Sequence, residues 1–433
     1  MLLTIGLLNA SCKKDNNTKD KPAPTVTSIS PVKGRAGTVV TISGANFSRL
    51  RVENSVKFNG VPAKIVTFNE ENIYVEAPEG ATTGALTITV AGKAVEGPEF
   101  RYLAPIIPYA TETFAGEGVA AFLDGTGIAA RFNNPEGVAF DSKGNLIIAD
   151  RSNHRIRKIT PQGVVTTIAG GTSGLVNGPV ASAKFNSPWK VAVDKNDNII
   201  VADRSNHCVR KISADGNVTT IAGNGSSGTA DGQGTAARFN YPQDVDIDAN
   251  GIIYVLDYNN DRIRKITTDG TVTTLAGSTT GYKDGTGTDA QFNRPGGLVI
   301  DKDGNILVAD RQNNRIRKVT PAGVVTTLSG NSTKGLVDGD ISEASFSEPF
   351  GICQDAAGNI YVADLAGHAI RKITLDNEVI TIAGSGTSGF ADGSPASAVR
   401  FNQPTDLAVD AQGRIYVADL SNHRIRRLVQ QQQ

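Results

Sequence analysis

Cysteine, histidine, methionine and tryptophan are all scarce in this chain. Among 433 residues there are three, four, one and one, respectively. Three cysteines exclude the disulfide framework that supports small secreted domains. A single methionine and 6% aromatics leave little of the bulky apolar material of helix-on-helix cores. With 47 glycines, the composition instead suits many short strands joined by tight turns. Neither sign of charge is in excess, at 43 basic and 43 acidic residues. No global field therefore favours nucleic acid or an anionic membrane. The length predicts more than one domain.

The chain opens with "MLLTIGLLNASC". This apolar run is too short to span a bilayer, which needs about 20 residues. Leu8, Ala10 and Ser11 ahead of Cys12 resemble the end of a bacterial lipoprotein signal, and the resemblance implies cleavage before Cys12 and its lipidation. Residues 13–23 are polar and without apolar periodicity, as expected of a flexible tether. The expected place is the cell envelope, as an outer-membrane lipoprotein on the periplasmic or the outer side.

Residues 24–103 alternate apolar and polar positions, with turn residues about every ten positions, as in a small β-sandwich. "SISPVKGRAGTVVTISGANF", "VKFNG", "APEGATTG" and the closing "GPEFRY" resemble an IPT/TIG domain. The resemblance implies an immunoglobulin-like fold that acts mostly as a spacer.

From residue 107 onward the chain repeats one unit six times. Its anchor is an aspartate that ends an apolar run, followed seven residues later by arginine, from Asp150 and Arg157 to Asp419 and Arg426. Successive aspartates lie 53, 54, 53, 54 and 55 residues apart, a period that signals a propeller or a solenoid. Each unit holds four strand-like runs, in the first copy "GVAFD", "NLIIAD", "RIRKIT" and "VVTTIAG". Four antiparallel strands per repeat make a propeller blade. Phrases such as "PEGVAFD" and "NHRIRKI" resemble NHL repeats. The expected fold is thus all-β: an IPT/TIG sandwich at 24–103, a six-bladed propeller at 107–429 and a polar tail at 430–433.

The sixth unit lacks its fourth run, whereas "TETFAG" at 111–116 matches that run and has no unit before it. The count predicts that this segment completes the last blade and closes the ring, removing an unpaired edge. Between blades lie connectors of about 20 residues. In five of them Asp124, Asn177, Asp231, Asp284 and Asp338 precede a phenylalanine by eight positions; in the sixth, Asp392 precedes Phe401 by nine. Six such phenylalanines predict folded connectors anchored between blades.

Repetition also argues against chemistry. His154, His207, His368 and His423 occupy one turn position on separate blades, so they cannot converge on a metal. Cys208 and Cys353 fall three blades apart, beyond the reach of a disulfide. Six equivalent Asp–Arg pairs point to architecture.

Function is expected where the copies disagree. At the start of each innermost strand they read "PEG", "PWK", "PQD", "PGG", "PFG" and "PTD". This places Glu136, Trp189, Lys190, Gln243, Asp244, Phe350 and Asp406 around the channel mouth, with Asp246 two residues beyond Asp244. Carboxylates, one lysine and two aromatics suit a polysaccharide, peptide or protein ligand. The leading expectation is a binding protein with no cofactor, attached to the membrane only by its lipid. Some NHL propellers bind RNA, but balanced charge and export argue against nucleic acid here. The alternative is an enzyme: similarity to six-bladed lactonase-like hydrolases and lyases implies calcium held by Glu136, Asp244, Asp246 and Asp406.

Overall fold

The computed structural model describes residues 22–431, so the Cys12 expectation lies outside the described residues. The described chain is all-β and divides into two units at Ile106 and Ile107.

In the first unit, two sheets face each other. One runs Thr25–Ser30, Val39–Ala45, Asn72–Glu76, Lys64–Phe68; the other runs Lys33–Gly34, Lys93–Tyr102, Gly84–Val90, Asn54–Phe58, Val61–Pro62. The alternation read from the sequence fills the space between them with Val40, Ile42, Val56, Phe58, Ile73, Val75, Leu86, Ile88 and Phe100. Phe58 and Phe100 meet edge to face at 5.1 Å.

The second unit contains six sheets in sequence. In blade one the order from the channel outward is Pro135–Phe140, Leu146–Asp150, Arg155–Ile159, Val164–Gly170, and then Gly125–Thr126. Four strands per blade was therefore one too few for blades one to five. The connector adds a two-residue outer strand there, pairing Gly125 with Val165 and its equivalents. Blade six keeps four strands: Pro404–Val409, Ile415–Asp419, Arg424–Gln430 and Tyr109–Ala115. Thr111 pairs with Leu428 and Thr113 with Arg426, so the N-terminal segment does complete the last blade. The pairing begins at Tyr109 with Gln430, so the strand runs one residue into the segment read as a tail.

Each blade is pinned by the same buried assembly. Arg157, fully buried, donates to Asp150 (2.6 Å), Asp124 (2.7 Å) and the carbonyls of Arg131 and Leu123. Its guanidinium lies 5.1 Å from the Phe132 ring, and the six equivalent arginine–phenylalanine distances run from 5.0 to 5.3 Å. Connector aspartate, connector phenylalanine and Asp–Arg pair thus form a single lock. The sequence shows all three but not their union. In blade two the lock takes Asn177 in place of the connector acid.

The histidines join blades. Each sits in left-handed backbone conformation, His154, His207 and His423 at the end of a short 3-10 turn and His368 at the end of a plain turn. There its Nδ1 accepts the backbone N–H of the next blade: Ser187 to His154, Tyr241 to His207, Gln403 to His368, and Asn134 to His423. Asp261 and Asn314 serve Arg294 and Glu348 in the same way. The common property of that position is an acceptor on a short side chain that tolerates left-handed backbone.

Candidate functional site: the upper end of the channel

The channel has an upper end, where the innermost strands begin and the second strands finish, and a lower end formed by hairpin turns. Of the eight residues predicted from the sequence, Glu136, Trp189, Lys190, Gln243, Asp244, Phe350 and Asp406 converge at the upper end, and Asp246 lies two residues further along its strand. The expectation of an open mouth is corrected. Glu136, Gln243, Asp244, Phe350 and Asp406 are buried, and the space among them is about 10 Å³, room for about one water molecule. These side chains plug the channel.

The plug is organised by Lys190. From blade two its Nζ reaches past blade one to Asp406 of blade six, at 2.6 Å. Gly137 permits this, because a Cβ there would lie 2.6 Å from Lys190 Cα and 2.7 Å from the Trp189 carbonyl. The carboxylates cap neighbouring strands: Asp406 accepts from Val138 N–H, Asp244 from Leu298 N–H and Asp246 from Ile300 N–H. Burial alone would lower the lysine pKa, but Asp244 and Asp406 outweigh it and hold Lys190 charged. Three carboxylates share one ammonium, so burial pushes the Asp244 carboxyl up to about 7.

Calcium does not fit this donor set. Lys190 already supplies the positive charge against Asp406, Asp244 and Asp246, and would repel a second cation. Among the described residues no three or more acidic, histidine or cysteine side chains come together to hold a metal.

Above the plug lie residues that the sequence reading passed over as turn. The position after the strand-ending aspartate holds Arg151, Arg204, Tyr258, Arg311, Leu365 and Leu420 in blades one to six. Arg151 and Arg204 lie 4.8 and 4.2 Å from the Trp189 ring, so a sugar stacking on that indole would meet guanidinium already in place. Arg204 also approaches Tyr241 (4.7 Å) and Tyr258 (5.7 Å). Arg151 donates to the buried Glu136 at 2.6 Å. Burial pushes the Glu136 carboxyl up to about 7, against the pull of Arg151 and Arg204. Arg204 itself is different. Its Nε is buried without an acceptor, no hydrogen bond from its guanidinium is formed among the described residues, and burial lowers its pKa. Trp189 Nε1 and Glu136 Oε2 are likewise buried and unpartnered. The signal that would have found this patch was disagreement among copies one residue past the conserved aspartate.

Comparison with known proteins agrees with the fold. Residues 24–102 match the IPT/TIG domain, and residues 132–159, 185–212, 239–266, 292–319 and 401–428 match the NHL repeat. Blade five lies outside those matches but forms the same sheet. The chain is 31% identical over 291 residues to Protein SUPPRESSOR OF QUENCHING 1, chloroplastic, of Arabidopsis thaliana, covering 61% of this chain and 28% of that protein. It is 30% identical over 323 residues to NHL repeat-containing protein 2 of Bos taurus, covering 65% and 44%. It thus spans less than half the length of either relative. A solved auxiliary nutrient binding protein from Bacteroides ovatus is similar over 95% of this chain and 99% of that one, with TM-score 0.58 and 20% identity, a likeness of fold.

Proposed function

We propose that this is a lipid-anchored binding protein of the cell envelope, whose propeller takes an anionic ligand at its upper end above blades one to three. The ligand class is a carboxylated or sulfated polysaccharide, or an acidic peptide or protein segment. The observation that carries the reading is Arg204. A guanidinium stripped of much of its water and given no acceptor is costly to leave unpaired. An incoming oxyanion supplies the planar, bidentate acceptor that arginine favours. Two arginines face one carboxyl that burial pushes toward neutrality, so the patch carries net positive charge. Tyr241 and Tyr258 beside it offer amphipathic surface for a ring or a peptide plane. The solved protein of the same fold is described as an auxiliary nutrient binding protein, which accords with a binding role.

Trp189 is the only tryptophan, so its emission reports on this patch alone. Titration with polygalacturonate and with a sulfated glycan is expected to change that emission saturably. Dextran is expected to leave it unchanged, and Arg204→Ala to weaken the response at least tenfold. An emission indifferent to every polyanion, or a response equal in Arg204→Ala, would refute the site. The anchor is tested separately: Cys12→Ala should move the protein from the membrane to the soluble fraction.

A further inference from the structure

A second cavity lies at the other end of the propeller. It is a cleft of about 450 Å³ between blades six and one, where the ring closes. Its walls come from two hairpin turns, Asp141–Gly144 and Asp410–Gln412, and from Phe114, Phe140, Arg414 and Tyr416. We propose that this cleft is a saccharide-binding site, sized for one or two sugar rings and independent of the anion patch above the plug.

Three observations converge on it. First, this seam carries a phenylalanine from each of its two blades, beside a second-strand tyrosine that blades three and five also have as Tyr254 and Tyr361. Phe114 and Phe140 meet Tyr416 edge to face at 5.0 and 5.3 Å. The equivalents of Phe114 are Ile168, Ile221, Leu275, Leu328 and Ile382; those of Phe140 are Val193, Ile247, Ile300, Gln354 and Val409. Both substitutions fall on the two blades that face this one seam.

Second, the hairpin turn of blade six replaces an asparagine that four copies share, where blade three has Ile252. Asn145, Asn198, Asn305 and Asn359 each donate from their side-chain amide to the first aspartate of their turn. Arg414 takes that role, with Nε at 2.6 Å from Asp410, and this extends a guanidinium over the cleft. Its Nη2 reaches only the Gln412 amide oxygen, at 3.3 Å.

Third, the seam is not clamped below. Ser142 of blade one donates twice to Asp197 of blade two, at 2.9 and 2.7 Å, and Lys302 N–H of blade four reaches Gln354 of blade five at 3.2 Å. Among the described residues no hydrogen bond links the Asp410–Arg414 turn to the Asp141–Asn145 turn. The space left is within the ~300–1,000 Å³ of small-molecule sites.

The chemistry selects the occupant. Aromatic rings lining the cleft suit an apolar face, while the Gln412 amide and the Arg414 guanidinium beside them present an acceptor and donors. A ligand with an apolar ring face and a hydroxylated rim matches both, and that is a pyranose.

The repeat supplies its own controls, since Phe140→Val and Arg414→Asn install residues that the other blades already fold with. Isothermal titration of the whole protein with glucose, galactose, cellobiose and maltose is expected to give saturable heat for at least one sugar. The same sugar should bind at least tenfold more weakly to each variant, with Trp189 emission unchanged and Arg204→Ala without effect. No heat from any of the four sugars would overturn the proposal. So would equal binding in both variants, or a response read by Trp189 and lost in Arg204→Ala, which would move the sugar to the upper patch.

Discussion

Replacing Arg317 with methionine tests the lock that repeats through the propeller. The side chain is fully buried and donates to Asp310 at 2.7 Å, Asp284 at 2.6 Å, and the carbonyls of Gln291 and Lys283. Methionine fills most of the volume but donates nothing. Asp310 stays buried and keeps only Asn293 N–H and the Asn313 amide as donors. Asp284 is nearly half exposed and returns to water at little cost. The dominant loss is therefore the uncompensated Asp310 carboxylate, about 3–5 kcal/mol when one partner of a buried pair is removed. At about 1.4 kcal/mol per factor of ten, that is a folding constant lowered by roughly two to three and a half orders of magnitude. Urea unfolding at pH 8 with intrinsic fluorescence is the assay. The double variant Arg317→Met/Asp310→Asn should recover more than half of the loss, because the buried charge goes with its partner. A loss below 1 kcal/mol for Arg317→Met, or a double variant less stable than the single one, would refute the account of the arginine as counter-ion.

The histidine clasps need neutral imidazole, since Nδ1 accepts from the next blade, and burial lowers the pKa of all four. Their contribution is full above the ordinary histidine value of ~6.5 and is lost as pH falls below it. Wild type should thus lose stability between pH 7.5 and 5.5 relative to a variant with asparagine at 154, 207, 368 and 423; identical pH profiles would refute the clasp. Lys190→Met strands Asp406 and Asp244 in the plug, with an expected cost of about 3–5 kcal/mol at pH 8. Because the Asp244 pKa is raised, that cost should shrink as pH falls through about 7; a cost independent of pH would refute it. Deleting residues 107–116 removes the outer strand of blade six and should give concentration-dependent association through the bared Arg424–Gln430 edge. A monomer of unchanged stability would show that the edge is dispensable.

The architecture was legible because repetition multiplies each weak signal by six. Strand alternation, the displaced "TETFAG" and the buried phenylalanines all follow from spacing. What spacing could not show was which repeated parts meet. Asp124 and Arg157 are 33 residues apart, and only the folded connector brings them to 2.7 Å. The ring of variable residues was located correctly, but its openness was misjudged. Sequence says that Lys190 and Asp406 differ from their copies; it does not say that their charges satisfy each other across blade one. Arg204 is masked in the sequence because it follows the repeated Asp203 directly and shares the turn "RSNH" with blade one. The seam cleft was hidden for another reason: its aromatics come from residues 114, 140 and 416, which are neighbours only once the ring has closed.

That closure also imposes an order on biosynthesis. The strand Tyr109–Ala115 is made first in the propeller, and its partner Arg424–Gln430 is made last. Five blades can assemble as they emerge from the ribosome, but the sixth waits for residues 424–430. Until then the leading strand is held without a mate, and the chain has not committed to its ring. A chain cut short anywhere before residue 424 carries that strand unpaired and is exposed to proteases. Only a chain that reaches Gln430 can bury it, so the pairing of this strand marks a propeller made through its last blade.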